Sequence, residues 1–256
     1  MHCQNKVAII TGASSGIGKA TVYKFAQEGI NTVLFSRDLS ALLTIVEDLK
    51  QQSSVKCLAV SADITQPTDI DRVIDQTISE FGVIDIIVNA AGIIASGTIQ
   101  STSLADWDYM MNVNVRGPFY LIQCALPYLI KQKGVIVNVS SVTGLRAFPG
   151  ILAYCTSKAA LDQLTRCLAL ELAKDGVRVN AVNPGVVVTQ LHRRSGMDEE
   201  KYAAFLEHSK STHPLGRVGR PDEIAELIYF LASPQSGWIT GETIAIDGGR
   251  HQTCAR

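Results

Sequence analysis

The chain lacks the features that direct a protein to a membrane, a nucleic acid or an oxidising compartment. No apolar run reaches the roughly 18 residues that a membrane span requires, so no membrane association is expected. An excess of one charge sign is missing too: 23 Lys and Arg face 24 Asp and Glu, for a net charge of −1. That balance gives no electrostatic reason to expect nucleic acid or an anionic bilayer as partner. The cysteines Cys3, Cys57, Cys124, Cys155, Cys167 and Cys254 are scattered, without a C-x-x-C pair or other metal-ligand spacing. Such thiols read as reduced residues of a cytoplasmic protein, with no metal site. Met1 to Lys6 lead straight into an apolar strand without a charged n-region or cleavage site, so no leader is expected. Cys254-Ala255-Arg256 leaves too few residues after the cysteine for a prenylation box. No linker composition, charge block or internal repeat marks a boundary. The 256 residues, 46% of them hydrophobic, therefore read as one domain spanning 1–256.

Short apolar runs alternate with longer helical patterns from end to end. Strands are expected at 7–11, 32–36, 56–61, 84–89, 135–140, 178–183 and 243–246. Most are continuous Val/Ile runs, the pattern of a parallel sheet covered on both faces. Helices are expected near 17–28, 39–51, 68–81, 104–132, 153–174 and 221–232. Pro221-Asp222-Glu223 suits a helix first turn, where a missing N–H costs nothing and acidic groups meet the positive end. The fold class is α/β: a single doubly wound, Rossmann-like parallel sheet of about seven strands with right-handed crossovers. One connection, 186–216, breaks the rhythm. A long excursion at the carboxyl end of a strand is a lid or binding loop, and substrate is expected there.

Thr11-Gly12-Ala13-Ser14-Ser15-Gly16-Ile17-Gly18 stands between the first strand and the first helix. Gly12 permits a sharp turn, Gly16 lets backbone approach a pyrophosphate, and Gly18 lets the helix pack closely on the sheet. The helix start then offers free N–H groups and a positive dipole end to the phosphates. The second strand ends at Ser36-Arg37, with no carboxylate before the arginine. A basic residue at this point accommodates a 2′-phosphate, so NADP(H) is favoured. Asp38 follows directly and can neutralise the arginine, which keeps NAD(H) as the alternative.

Those residues, with Asn89-Ala90-Ala91-Gly92, Asn114, Ser141, Tyr154-x-x-x-Lys158 and Asn183-Pro184-Gly185, carry a resemblance over essentially the whole chain. It resembles the short-chain dehydrogenases/reductases, in the branch of 3-oxoacyl-carrier-protein reductases and related carbonyl reductases. Ala90, where a second Asn is frequent, and Cys155-Thr156 depart from the common pattern. The resemblance implies a cofactor set of Thr11, Gly12, Ser14, Ser15, Gly16, Ile17, Gly18, Ser36, Arg37, Asp63, Ile64, Asn89, Ala90, Gly92, Tyr154, Lys158, Pro184, Gly185, Val187 and Thr189. It implies Asn114, Ser141, Tyr154 and Lys158 as the catalytic set, and a homotetramer built on the helices around 104–132 and 153–174 and on the last strand.

The chemistry needs these residue types. Hydride transfer to a carbonyl builds negative charge on oxygen, which must receive a proton. A tyrosine pKa near 10 is too high for efficient exchange at neutrality, and Lys158, one helical turn from Tyr154, is expected to lower it. By resemblance Lys158 also holds the nicotinamide ribose, Ser141 holds the substrate oxygen, and Asn114 holds a water that completes a proton relay. Ser140 competes with Ser141, and the family spacing to Tyr154 favours Ser141. Asp63 is similar to the residue that contacts adenine, and Asn89 to one that stabilises the sheet beside the cofactor.

Ile93, Ile94, Leu145, Phe148, Val186 and Leu191 are mainly apolar pocket candidates, pointing to a hydrophobic ketone, aldehyde or secondary alcohol. His192-Arg193-Arg194 is either a solvated basic face or a recognition point for an acidic group. Cys155 reads as a small core residue. Rival readings are an NAD-linked alcohol dehydrogenase working in the oxidative direction and a catalytically silent cofactor-binding scaffold. The second would have shown itself by loss of Ser141, Tyr154 or Lys158.

Overall fold

The computed structural model describes residues 3–253, so Met1, His2 and the Cys254-Ala255-Arg256 end lie outside the described residues. The chain begins β1 (Val7–Thr11), α1 (Gly16–Gln27), β2 (Asn31–Ser36), α2 (Leu39–Gln52), β3 (Cys57–Ser61), α3 (Pro67–Phe81) and β4 (Ile86–Asn89). It continues with α4 (Leu104–Met111), α5 (Gly117–Gln132), β5 (Val135–Val139), α6 (Val142–Leu145), α7 (Leu152–Leu172) and β6 (Arg178–Pro184). Last come α8 (Leu191–Arg194), α9 (Glu199–Thr212), α10 (Pro221–Ala232) and β7 (Thr243–Ile246).

All seven strands lie in one sheet, ordered β3-β2-β1-β4-β5-β6-β7, and every pairing is parallel. Adjacent strand residues serve opposite faces. Ile9 joins Val33, Ile87, Leu121 and Ile136 in one core cluster, while Ile10 joins Val22, Phe25, Leu34 and Ile228 in the other. That two-residue period, apolar at both phases, is why β1 reads as an unbroken hydrophobic run. The chain reverses its direction of winding between β1 and β4. A crevice therefore opens at the carboxyl ends of those two strands.

The structure departs from the sequence pattern in five places. The helix expected over 104–132 is interrupted by a π-helical turn, Asn112–Arg116, closed by the Gly117 N–H donating to Asn112 O. β3 and β4 each begin later than expected. Lys56 N is taken by the Asn31 side chain at 2.8 Å, and the Asp85 carboxylate binds Lys6 Nζ at 2.8 Å and Val7 N at 2.9 Å. The excursion 186–216 is largely helical, with Asp198 capping α9 by accepting from Lys201 N at 2.8 Å. A short helix, α6, also follows β5, capped by Ser141.

Candidate active site

The carboxyl end of β1 is tied to that of β4. Thr11 Oγ1 accepts from Ala90 N at 3.0 Å and Ala91 N at 2.9 Å, so this buried hydroxyl is spent on joining the two loops. Gly12 has φ +67°, and a side-chain carbon on it would stand 2.9 Å from the Ala90–Ala91 backbone. Gly16, at φ +55°, lies against the Thr189 side chain, and a side-chain carbon on Gly18 would overlap the Gly12 carbonyl. Ser15 begins α1 without a side-chain capping bond, and no acidic residue sits in the first turn. The Ser15 hydroxyl leaves the amino-terminal N–H groups of α1 unspent, and Ile17 packs into the core. That uncapped, glycine-lined helix start fits an anionic phosphate group.

At the end of β2, Asp38 Oδ1 accepts from Ala41 N at 3.0 Å and its own N–H donates to Ser36 Oγ at 3.1 Å. The carboxylate that might have neutralised Arg37 is used to cap α2. Arg37 remains two-thirds exposed, 3.9 Å from Asp63 Oδ2 and 3.5 Å from the Tyr109 hydroxyl. Asp63 Oδ1 receives the Thr65 N–H and hydroxyl, both at 2.8 Å. Ile64 is buried beneath Gly117, where a side-chain carbon would come within 2.6 Å of it. Asn89 Nδ2 donates to Asn138 Oδ1 at 2.9 Å, and Asn138 Nδ2 to Thr165 Oγ1 at 2.9 Å. This polar ladder ties β4 and β5 to α7 and leaves Asn89 Oδ1 buried without a partner.

Tyr154 and Lys158 share one face of α7 and are both buried. Lys158 Nζ donates to Val139 O at 2.8 Å. Gly92 and Asn114 converge on the same lysine: a side-chain carbon on Gly92 would stand 3.4 Å from Asn114 Oδ1 and 3.5 Å from Lys158 Nζ. Ser141 caps α6, its Oγ accepting from Thr143 N at 3.1 Å. Ser140 donates to Lys158 O at 3.2 Å, whereas Ser141 is the serine that faces Tyr154.

The electrostatics correct one expectation. Burial pushes Tyr154 up to about 12, although the Ser141 hydroxyl, hydrogen-bonding to it, pulls the other way. Burial likewise brings Lys158 down to about 8, against the pull of Asp162. In the protein alone desolvation is the largest influence on the tyrosine, which stands above its ordinary value. Asn114 is bonded within the protein. Its Oδ1 accepts from Ile93 N at 3.0 Å, and its Nδ2 donates to Ile93 O and Ser157 Oγ, each at 3.0 Å. The buried side chain pins the loop after β4 against the π-helical turn and α7.

Ile93, Ile94 and Ile151 pack with Met110, Ala153 and Tyr154, forming an apolar wall beside the tyrosine. Two members of the basic triplet, His192 and Arg193, are engaged within the protein. Arg193 makes two bonds to Glu199, at 2.6 and 2.9 Å, and lies 3.9 Å from the Tyr202 ring centre, while His192 packs on Phe205. Beyond Pro184 and Gly185, Val187 bridges to Gly219, and Thr189 N and O both engage the Tyr202 hydroxyl. Two buried polar groups, Asp162 and His213, escaped the sequence reading, and Asn183 entered it only as part of a motif. Asp162 lies four residues beyond Lys158, the spacing that had marked Lys158 itself. Asn183 Nδ2 donates to Asp162 Oδ2 and to Ser141 O, both at 2.8 Å, joining that carboxyl to the serine. His213 carried no sequence signal.

A parallel sheet that reverses beside an uncapped glycine-rich helix start, with a buried Ser–Tyr–Lys group next to it, defines a nicotinamide-dependent oxidoreductase of carbonyl and hydroxyl groups. The comparisons narrow the class. A family model described as enoyl-(acyl carrier protein) reductase matches residues 12–251. The 3-oxoacyl-(acyl-carrier-protein) reductase of Thermotoga maritima is 40% identical over 253 residues, covering 97% of this chain and 99% of that one. A Caenorhabditis elegans short-chain dehydrogenase/reductase, solved with cofactor, superposes with TM-score 0.92 at 37% identity, covering 98% of this chain and 97% of that one. The L-sorbose reductase of Gluconobacter frateurii, complexed with NADPH and L-sorbose, gives TM-score 0.92 at 31% identity, covering 99% of both chains. The chain belongs to the short-chain dehydrogenases/reductases. Among the described residues no helix is long and apolar enough to cross a membrane.

Proposed function

We propose that the protein is an NADP(H)-preferring carbonyl reductase in which Tyr154 delivers the proton. The observation that carries this reading is the meeting of Ser141 and Tyr154 beside buried Lys158, next to the uncapped start of α1. Bound dinucleotide supplies the hydride. Its phosphates are held by Gly12, Ser14, Ser15, Gly16, Ile17 and Gly18, with Thr11 fixing that loop. Asp63, Ile64, Asn89, Ala90 and Gly92 line the adenosine and ribose side, and Pro184, Gly185, Val187 and Thr189 the nicotinamide side. Ser141 Oγ donates to the substrate oxygen and orients it. The Tyr154 hydroxyl gives that oxygen its proton, and Lys158 stabilises the phenolate left behind. Asn114 acts by holding Ile93 and the loop after β4 in place.

The preference for NADP(H) is supported by Arg37, exposed at the ribose end, with Asp38 withdrawn into the α2 cap. Ser36 accepts from the Asp38 N–H and fixes that turn. The L-sorbose reductase relative was solved with NADPH. The wall of Ile93, Ile94 and Ile151 favours a hydrophobic ketone or aldehyde. Exposed Leu104, Tyr109 and Phe119 on α4 and α5, with Leu170 and Trp238 near the last strand, support a homotetramer. The test is NADPH oxidation with β-ketoacyl thioesters, ketosteroids, quinones and diketones, beside fluorescence titration with NADPH and NADH. NADPH-dependent reduction of at least one ketone is expected. Binding of neither dinucleotide would refute the reading.

A further inference from the structure

The segment after β6 is gripped from below by α9 at two points. At one end the Tyr202 hydroxyl accepts from Thr189 N at 3.2 Å and donates to Thr189 O at 3.0 Å. At the other, His213, buried at the carboxyl end of α9, stands with Nε2 3.1 Å from Val186 N and Nδ1 2.6 Å from Ser209 O. A backbone N–H only donates and a carbonyl only accepts. The two contacts therefore fix the ring as neutral, with the proton on Nδ1 and the lone pair on Nε2. Gly185 is shaped to the same ring, since a side-chain carbon there would stand 2.7 Å from Nε2. Nothing larger lets the histidine reach Val186.

We propose that His213 is a positioning residue, whose neutral imidazole locks residues 185–189 in place and whose protonation releases them, so that acid weakens dinucleotide binding. The inference rests on the reading of Gly185, Val187 and Thr189 as part of the dinucleotide site. A proton on Nε2 would set two donors face to face at Val186, and the contact would be lost. Burial of the ring opposes that proton, and Arg250 opposes it further, while Asp247 favours it. The Asp247 carboxylate is already engaged by Gly249 N, His251 N and the His251 ring. Arg217 and Glu223, which line the small cavity beside His213, are paired with each other at 2.6 and 2.9 Å. On α9 itself Glu207 and Lys210 form a pair on the exposed side. None of these groups offers a protonated His213 a replacement for the Val186 contact.

The proposal is tested with His213→Gln, which keeps a neutral acceptor, and His213→Leu, which has none. NADPH affinity is measured by fluorescence between about pH 5 and 8, alongside hydrogen exchange of residues 186–189 in the cofactor-free protein. Wild type is expected to lose about ten-fold in affinity toward the acid end, with the protection of these amides, taken against the intrinsic exchange rate at each pH, falling in parallel. His213→Gln should bind like wild type at the alkaline end and keep that affinity and protection in acid. His213→Leu should bind weakly and exchange fast at every pH. Wild-type affinity in His213→Leu, or an unchanged acid loss in His213→Gln, would overturn the proposal. Protection that falls with acid in wild type but not in His213→Gln supports the lock even if NADPH binds at no pH. That last outcome would count against the dinucleotide reading instead.

Discussion

Lys158 Nζ stands 5.8 Å from the centre of the Tyr154 ring and is anchored on Val139 O at 2.8 Å. Burial drives both groups toward their neutral forms, the lysine to about 8 and the tyrosine to about 12. The free protein thus holds a phenol beside a lysine that passes from ammonium to amine in mildly alkaline solution.

The first prediction follows from that pair. Dinucleotide binding in mildly alkaline solution should take up protons, because the ligand's negative charge favours the ammonium that burial disfavours. Calorimetry in two buffers of different ionisation enthalpy reads the uptake, and Lys158→Met should abolish it. Stability carries the same signature. Between about 8 and the ordinary lysine value of 10.5 the unfolded chain binds more protons than the folded one, so stability should rise with pH through that window. Tyr154 acts oppositely between its ordinary 10 and about 12, where the folded chain holds the extra proton and stability falls.

Replacing the proposed proton donor should separate chemistry from binding. Tyr154→Phe is expected to retain fold and dinucleotide affinity while turnover falls roughly 10²–10⁴-fold, the usual worth of a positioned general acid. Steady-state rates beside a binding titration make the comparison. A folded variant with near-normal turnover would remove Tyr154 from the mechanism.

The proposed cofactor preference rests on Arg37. Loss of a charge-assisted bond to a 2′-phosphate should cost Arg37→Ala roughly 10- to 100-fold in NADPH affinity and little in NADH affinity. Arg37→Asp should invert the preference by repelling the phosphate and accepting from free ribose hydroxyls. The ratio of kcat/KM for the two cofactors decides the matter; an unchanged ratio would remove Arg37 from phosphate recognition.

The parallel sheet was legible because its strands are apolar at both phases, and α10 began at Pro221 as its first-turn residues required. Ser141, Tyr154 and Lys158 were legible as a spacing pattern. The π-helical turn at Asn112–Arg116 was not, because its cause is tertiary: Asn114 reaches across to Ile93, and Gly117 presses on Ile64. The helices of the 186–216 excursion were hidden for a related reason. Only Tyr202 and Ser209 of α9 are buried, so its apolar periodicity is faint. Asp162 and His213 are polar residues made structural by partners far along the chain, which a single sequence does not display.

The Thr11 latch yields a prediction on stability. Thr11→Val keeps the side chain's shape but strips Ala90 N and Ala91 N of their acceptor. A stability loss on the order of 1–3 kcal/mol is expected from the unsatisfied donors. Denaturant unfolding measures it. NADPH affinity should fall as well, since the loop carrying Gly12 loses its anchor. Wild-type stability in the variant would show that the two N–H groups find water instead.

The same latch bears on how the protein comes into being. Thr11 and Ala90 are 79 residues apart in sequence, so the phosphate cradle does not exist until a long stretch of chain has closed on itself. Closing such a loop costs entropy that local helices cannot repay, and folds rich in distant pairings form slowly. A chain growing from the ribosome carries the complete Thr11–Gly18 sequence early, yet gains a dinucleotide grip only once β4 has docked beside β1. Ligand capture during refolding therefore reports the moment at which the two halves of the sheet join.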